Sequence, residues 1–206
     1  MVYERLLVKE IRKNKMKEFI PVLTIKSINE VKDKITILKK YGVKYIEIAY
    51  RTKYASEAIK LANNLFPKLI IGAGTVINKK QCQLAIQAGS KFIVGPGFVD
   101  EVYKYCKLKK VPYYPGCLTP TEIANCINLG LTTLKIFPGA ALGPNVINWL
   151  SEAFNQVKFL VTGGIFNHNA KEYLKLSAVW AIGGDWIFNN KFEKTTSQLM
   201  QIVNLH

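Results

Sequence analysis

A lysine sits in the middle of an apolar, β-branched run, Thr132-Thr-Leu-Lys-Ile-Phe-Pro138. Side chains alternate along an extended chain, so Thr133, Lys135 and Phe137 share one face and Leu134 and Ile136 the other. An ammonium enclosed by apolar walls loses hydration, its pKa falls, and a neutral nucleophilic amine becomes available near neutral pH. Such an amine condenses with carbonyl substrates to give imines. Alternation does not say which face is enclosed, and a strand lysine on a lysine-rich surface is the competing explanation.

Polar residues interrupt a second apolar run at Tyr45-Ile-Glu-Ile-Ala-Tyr-Arg51. Glu47 and Arg51 are four apart in an extended segment and therefore lie on one face. Two arrangements are open. In one, Glu47 is a general acid/base and the Arg51 guanidinium is a fork for a carboxylate or other oxyanion; in the other, the two form a structural ion pair.

Glycines mark three further strand ends, Gly72-Ala-Gly-Thr75, Thr162-Gly-Gly-Ile165 and Ile182-Gly-Gly-Asp185. A glycine there lets backbone N–H groups approach a ligand, and a phosphate cradle is one use of that freedom. Tight turns into helices are the other.

The elements that must position these residues are legible in the periodicity. Short apolar strands are expected at Ile20-Thr24, Tyr45-Ala49, Leu69-Ala73, Phe92-Val94, Tyr113-Tyr114, Thr133-Phe137, Phe159-Thr162 and Val179-Ile182. Helical segments alternate with them at Asn29-Tyr41, Tyr54-Phe66, Lys79-Ala88, Asp100-Lys110, Thr121-Leu129, Val146-Phe154 and Asn169-Leu176, with a closing helix near Thr195-Leu205 and an opening one at about Tyr3 to Lys17. Gly42, Gly89 and Gly130 are placed to end helices in the left-handed conformation; Ser27, Asn78, Thr119 and Asn167 are placed to cap starts. Alternating strand and helix demand a parallel sheet covered by helices. Eight regular units of roughly 22 to 26 residues, close to the minimum for such a unit, point to an α/β fold, a (β/α)8 TIM barrel with an extra N-terminal helix, as one domain over residues 1–206. A doubly wound open sheet is the alternative. In a barrel, chemistry belongs at the C-terminal ends of the strands, where the residues above fall.

Composition narrows the partners. The formal net charge is +15, and among 29 Lys plus Arg only Arg5, Arg12 and Arg51 are arginines. The lysines are spread over most helical segments rather than clustered with aromatics, which argues for a solvated basic surface and against nucleic-acid binding, while the field favours anionic metabolites. No apolar run approaches the ~18 residues of a membrane span. Cys82, Cys106, Cys117 and Cys126 have the spacing of neither a disulfide framework nor a zinc site, which points to a reducing, cytoplasmic setting.

In order along about residues 20 to 188, Glu47-x-x-x-Arg51-Thr52, Gly72-Ala-Gly-Thr75, Gly95-Pro-Gly97, Pro115-Gly116, Lys135-x-Phe137-Pro138 and Thr162-Gly-Gly-Ile165 resemble the 2-keto-3-deoxy-6-phosphogluconate aldolase / 4-hydroxy-2-oxoglutarate aldolase family. The resemblance implies a class I aldolase with no metal and no cofactor, assembled as a homotrimer, acting on a small anionic 2-keto acid. By it, Lys135 is the Schiff-base lysine and Glu47 the proton shuttle. Arg51 and Thr75 hold the pyruvyl carboxylate, Pro96 and Phe137 are apolar walls, and Thr162 contacts the substrate's chain hydroxyls. Gly163, Gly164 and Gly184 are the amides around a distal phosphate. Cleavage of 2-keto-3-deoxy-6-phosphogluconate to pyruvate and glyceraldehyde 3-phosphate is the implied reaction, with 4-hydroxy-2-oxoglutarate as the alternative substrate. A different barrel chemistry, an isomerase or decarboxylase using Lys135 only for its charge, competes with both. Asp185 departs from the family's enterobacterial members, which carry serine there. A bare carboxylate beside a phosphate repels the dianion, whereas one that caps the following helix is turned away. His168 and Cys117 receive no role.

Overall fold

In a computed structural model, residues 17–187 and 192–204 are described. The opening helix expected at Tyr3 to Lys17 lies, Lys17 apart, outside them. The strands are β1 (Glu18–Leu23), β2 (Tyr45–Ala49), β3 (Ile70–Gly74), β4 (Ile93–Val94), β5 (Tyr113–Tyr114), β6 (Gly116–Cys117), β7 (Thr133–Ile136), β8 (Lys158–Thr162) and β9 (Val179–Gly184). The helices are α1 (Glu30–Lys40), α2 (Ala55–Leu65), α3 (Lys79–Gln87), α4 (Asp100–Lys109), α5 (Pro120–Asn128), α6 (Gly139–Ala153), α7 (Ala170–Leu174) and α8 (Phe192–Asn204).

All pairings are parallel, in the order β5-β4-β3-β2-β1-β9-β8-β7-β6. The two ends of that order, β5 and β6, are one stave of the barrel interrupted at Pro115. Proline has no N–H to donate, so the ladder breaks there, yet its carbonyl still accepts from Lys135 N at 2.9 Å. The nine segments therefore trace the eight staves expected, closed into a ring.

Strand alternation sorts the interior into two cores. Residues facing outward, such as Leu134, Ile136, Phe159 and Val161, pack under the helices. Ile20, Tyr45, Phe92, Val94, Tyr114, Leu160, Trp180 and Ala181 fill the inside. Trp180 is the extra residue of a bulge in β9, where Phe159 pairs with Val179 and Leu160 with Ala181. Its ring meets Tyr45 and Tyr114 edge-on, each with centroids 6.0 Å apart, and Phe92 sits against both tyrosines. This aromatic layer fills the lower barrel.

Several local expectations hold. Gly42, Gly89 and Gly130 are left-handed at helix ends, Asn78 accepts from Gln81 N, and Thr119 and Glu122 form a reciprocal capping box. Two caps differ. Ser27 does not cap α1; the Glu30 carboxylate instead accepts from the Lys26 and Ser27 N–H groups, so the acid satisfies the helix start from within. Asn167 does not cap α7; the N-cap position is Asn169, whose side chain makes no bond to the helix and instead ties down the preceding loop, accepting from Phe166 N and donating to Gly164 O. The helix expected at Val146-Phe154 begins earlier, at Gly139, because a separate first turn is merged with it across a kink at Gly143 and Pro144. The four cysteines are buried free thiols, with Sγ–Sγ separations of 3.4 Å for Cys82–Cys106 and 3.7 Å for Cys117–Cys126.

Candidate active site at the strand ends

Ring closure places Thr133, Lys135 and Phe137 inside the barrel. Lys135, in register with Gly116 and Leu160, is 6% exposed, and its Nζ lies 5.0 Å from the Phe137 ring centroid. One cavity at the upper end is lined by Glu47, Arg51, Lys135, Phe137, Thr162, Gly163, Gly164 and Gly184. Eight of the ten residues singled out from the sequence are thus brought together from β2, β7, β8 and β9. The alternative surface position for Lys135 is excluded.

Glu47 projects inward from the middle of β2 and is 1% exposed. Its space is created by the neighbouring strand: a Cβ on Gly74 would stand 1.8 Å from Glu47 Oε1. Gly74 therefore admits the acid rather than a ligand's approach to the backbone. Burial pushes the Glu47 carboxyl above the usual carboxylate range, opposed by the charges of Lys135 and Arg51 and reinforced by Asp185. Glu47 Oε2 and Thr162 Oγ1 are buried without a hydrogen-bond partner among the described residues. An unpaired buried polar group costs about 1–3 kcal/mol, so two of them facing one cavity beside an enclosed amine mark a place built for a polar ligand.

Arg51 does not pair with Glu47. Its Nη1 donates to Asp185 Oδ2 at 2.7 Å and to Thr24 Oγ1 at 3.3 Å. Asp185 does not stand as a bare charge, because the Arg51 guanidinium pairs with it. The ionisable lining is balanced, Lys135 and Arg51 against Glu47 and Asp185.

Gly163 and Gly164 have φ of 87° and 77°, a region closed to most side chains. A Cβ on Gly164 would also fall 2.4 Å from Ala140 Cβ, and the Gly163 carbonyl accepts from Ala140 N at 2.9 Å, so the turn after β8 is seated on the first turn of α6. Gly184 is pressed by the Trp186 indole, 2.5 Å from where its Cβ would be. Both readings of the glycines are served: tight turning, and backbone exposed in the cavity wall.

Thr75 and Pro96 are not among the residues that line this cavity. Thr75 follows Gly74 in a left-handed conformation with φ of 56°, unusual for a β-branched residue. The Pro96 carbonyl packs on Gly116, where a Cβ would be 2.1 Å away, and Gly116 is the register partner of Lys135. Val22, Phe166 and Trp186 complete the lining and were not anticipated. Inward alternation on β1 could have found Val22; no local signal marks the two aromatics. Among the described residues no group of three or more His, Cys, Asp or Glu side chains is arranged to hold a metal ion, and no helix is long and apolar enough to cross a membrane.

The chain and its barrel are similar to known proteins. The model of the family described as "Aldolase: KDPG and KHG aldolase" matches residues 10–204. The chain is 34% identical over 196 residues to a 2-dehydro-3-deoxy-phosphogluconate aldolase of Treponema pallidum, covering 90% of this chain and 93% of that one. It is 33% identical over 169 residues to the KHG/KDPG aldolase of Escherichia coli, covering 82% and 79%. Among solved structures, the KDPG aldolase of Legionella pneumophila, with pyruvate captured as a covalent carbinolamine intermediate, superposes with a TM-score of 0.83 at 33% identity, over 92% of this chain and 93% of that one. The aldolase of Zymomonas mobilis with 3-phosphoglycerate gives 0.86 at 28% identity, over 97% and 95%. With the ordered motifs on one barrel and the enclosed lysine at its seventh segment, the chain belongs to the KDPG and KHG aldolase family.

Proposed function

We propose that this chain is a class I aldolase that reversibly cleaves 2-keto-3-deoxy-6-phosphogluconate to pyruvate and glyceraldehyde 3-phosphate, using Lys135 as the imine-forming nucleophile. The observation that carries the proposal is the enclosure of the Lys135 amine in a cavity shared with the buried Glu47 carboxyl.

The Lys135 amine adds to the C2 carbonyl of the keto acid, giving a carbinolamine. Glu47, whose carboxyl burial holds above the usual carboxylate range, gives a proton to the departing hydroxyl, and water leaves to form a protonated imine. Glu47 then accepts the C4 hydroxyl proton. The C3–C4 bond breaks, its electron pair moves toward the imine nitrogen, and the aldehyde departs, leaving an enamine. Protonation at C3 and hydrolysis release pyruvate and restore the amine. Arg51 and Thr75 hold the substrate carboxylate, Thr75 through the strand end it shares with Gly74. Pro96 and Phe137 supply apolar walls, and Thr162 meets the chain hydroxyls with its unpartnered oxygen. The amides of Gly163, Gly164 and Gly184 receive the phosphate. Fixing both anionic ends places the breaking bond over the imine, where proximity contributes most. A homotrimer in the cytoplasm is part of the same proposal.

Incubation with pyruvate and sodium borohydride, then peptide mapping, tests it. A reduced adduct on Lys135, absent from Lys135→Arg, is the expected outcome; activity retained by Lys135→Arg would instead assign the lysine a purely electrostatic job.

A further inference from the structure

Three consecutive staves of the barrel converge on one guanidinium. Arg51 follows β2, Thr24 follows β1 and Asp185 follows β9, and these strands are neighbours in the ring. Arginine carries five N–H donors in a rigid fork. Both recorded contacts fall on one corner of that fork: Nη1 donates to Asp185 Oδ2 and to Thr24 Oγ1. Nη2 and Nε have no partner among the described residues. A carboxylate competing for the whole fork would engage it bidentately; Asp185 touches one nitrogen with one oxygen.

We propose that Asp185, with Thr24, is a positioning residue for the substrate carboxylate: it clamps Nη1 so that the Nη2/Nε edge of Arg51 stays presented to the 2-keto acid. The inference rests on Arg51 being the carboxylate ligand of the function proposed above. The Arg51 side chain is 43% exposed and long enough to sample solvent, so an anchor on rigid sheet backbone preorganises it before substrate arrives. Asp185 stands at the end of β9, held beside β1 by the pairing of Pro21 with Gly184. The clamp also reaches the chemistry. Lys135, Arg51 and Asp185 are the charged groups that act on the Glu47 carboxyl, and Asp185 raises its pKa. Removing the Asp185 charge leaves Lys135 and Arg51 unopposed and moves Glu47 toward a lower pKa.

The test is steady-state cleavage by Asp185→Asn, Asp185→Glu, Arg51→Lys and the double variant Asp185→Asn/Arg51→Lys. For Asp185→Asn, KM is expected to rise about fivefold or more while kcat changes by less than about threefold, the pattern of lost binding rather than lost chemistry. The acid limb of its kcat profile shifts to lower pH, and Asp185→Glu restores part of the KM. On the Arg51→Lys background, Asp185→Asn adds less than about twofold, because the group it positions is gone. A KM that is unchanged or lowered in Asp185→Asn, or full additivity with Arg51→Lys, overturns the clamp; a lowered KM would make Asp185 a competitor for the fork. Pyruvate–borohydride labelling separates the two layers: labelling of Lys135 in the unaltered chain with no KM response sinks only the clamp, and no labelling there sinks the aldolase reading itself.

Discussion

At the scale of single residues, Glu47 carries a stability cost for its chemistry. Its folded pKa is raised by burial, so the native state holds more protons than the unfolded chain above the ordinary carboxylate range, and stability falls as pH rises through that window. Glu47→Gln is therefore expected to raise the melting temperature at neutral pH, with the gain shrinking as pH drops toward the ordinary carboxylate pKa, while kcat falls about 10²- to 10⁴-fold. Thermal melts across pH beside turnover measurements check both halves; a destabilised Glu47→Gln at pH 7 would contradict the desolvation argument. Thr162 separates ligand binding from folding in the same way. Its Oγ1 has no partner among the described residues, so Thr162→Val should leave stability equal or higher by up to about 1 kcal/mol yet lower kcat/KM. Denaturant midpoints and kinetics on one preparation decide it, and parallel losses in both would point to a structural hydroxyl.

At the scale of elements, the acid on β2 depends on the absence of a side chain on β3. Glu47 and Gly72 are register partners, and Gly74, one inward position further, supplies the hollow for the carboxylate. Gly74→Ala would set a methyl group 1.8 Å from Oε1, so either the acid swings away or the strands part. The expected outcome is a loss of about 1–3 kcal/mol from overpacking, with a disproportionate fall in kcat because Glu47 loses its aim at Lys135. Retained pyruvate labelling of Lys135 with depressed turnover would locate the damage at proton transfer; full activity in Gly74→Ala would refute the steric argument. The β8 turn and the first turn of α6 are similarly interlocked through Gly163, Gly164 and Ala140, which gives the short segment before the Gly143 kink a reason to exist.

For the molecule as a whole, the lysine excess is a stability variable. Lys17 is partly buried below β1, donating to the Leu176 and Val179 carbonyls, and burial together with the charge of Lys158 lowers its pKa to about 8. The unfolded chain therefore binds more protons between about 8 and the ordinary lysine pKa of 10.5, so this residue makes stability rise with pH across that window and stay flat below it. Urea titrations from pH 7.5 to 10.5 should show a steeper rise for the unaltered chain than for Lys17→Met, since the remaining lysines titrate in both; equal slopes would show that Lys17 is not perturbed. With a net charge of +15, added salt is expected to stabilise both variants by screening.

Strand and helix periods, left-handed glycines and the Asn78 and Thr119 caps are properties of a few adjacent residues, and the sequence by itself determined them, together with the eight alternating units and the face shared by Thr133, Lys135 and Phe137. It also carried the motifs that set the family. Which face was enclosed was decided only when Pro115 and its neighbours closed the ring, since alternation is symmetric with respect to inside and outside. The partner of Arg51 was decided in the same way: Glu47, four residues off on the same face, was the local choice, but Asp185 is 134 residues away and meets Arg51 because β9, β1 and β2 are adjacent staves. Gly74 as the hollow for Glu47, and Trp186 and Phe166 in the cavity wall, belong to the same class. A side chain's period along its own strand is local, whereas its contacts across the barrel depend on the register and closure of strands far apart in the chain.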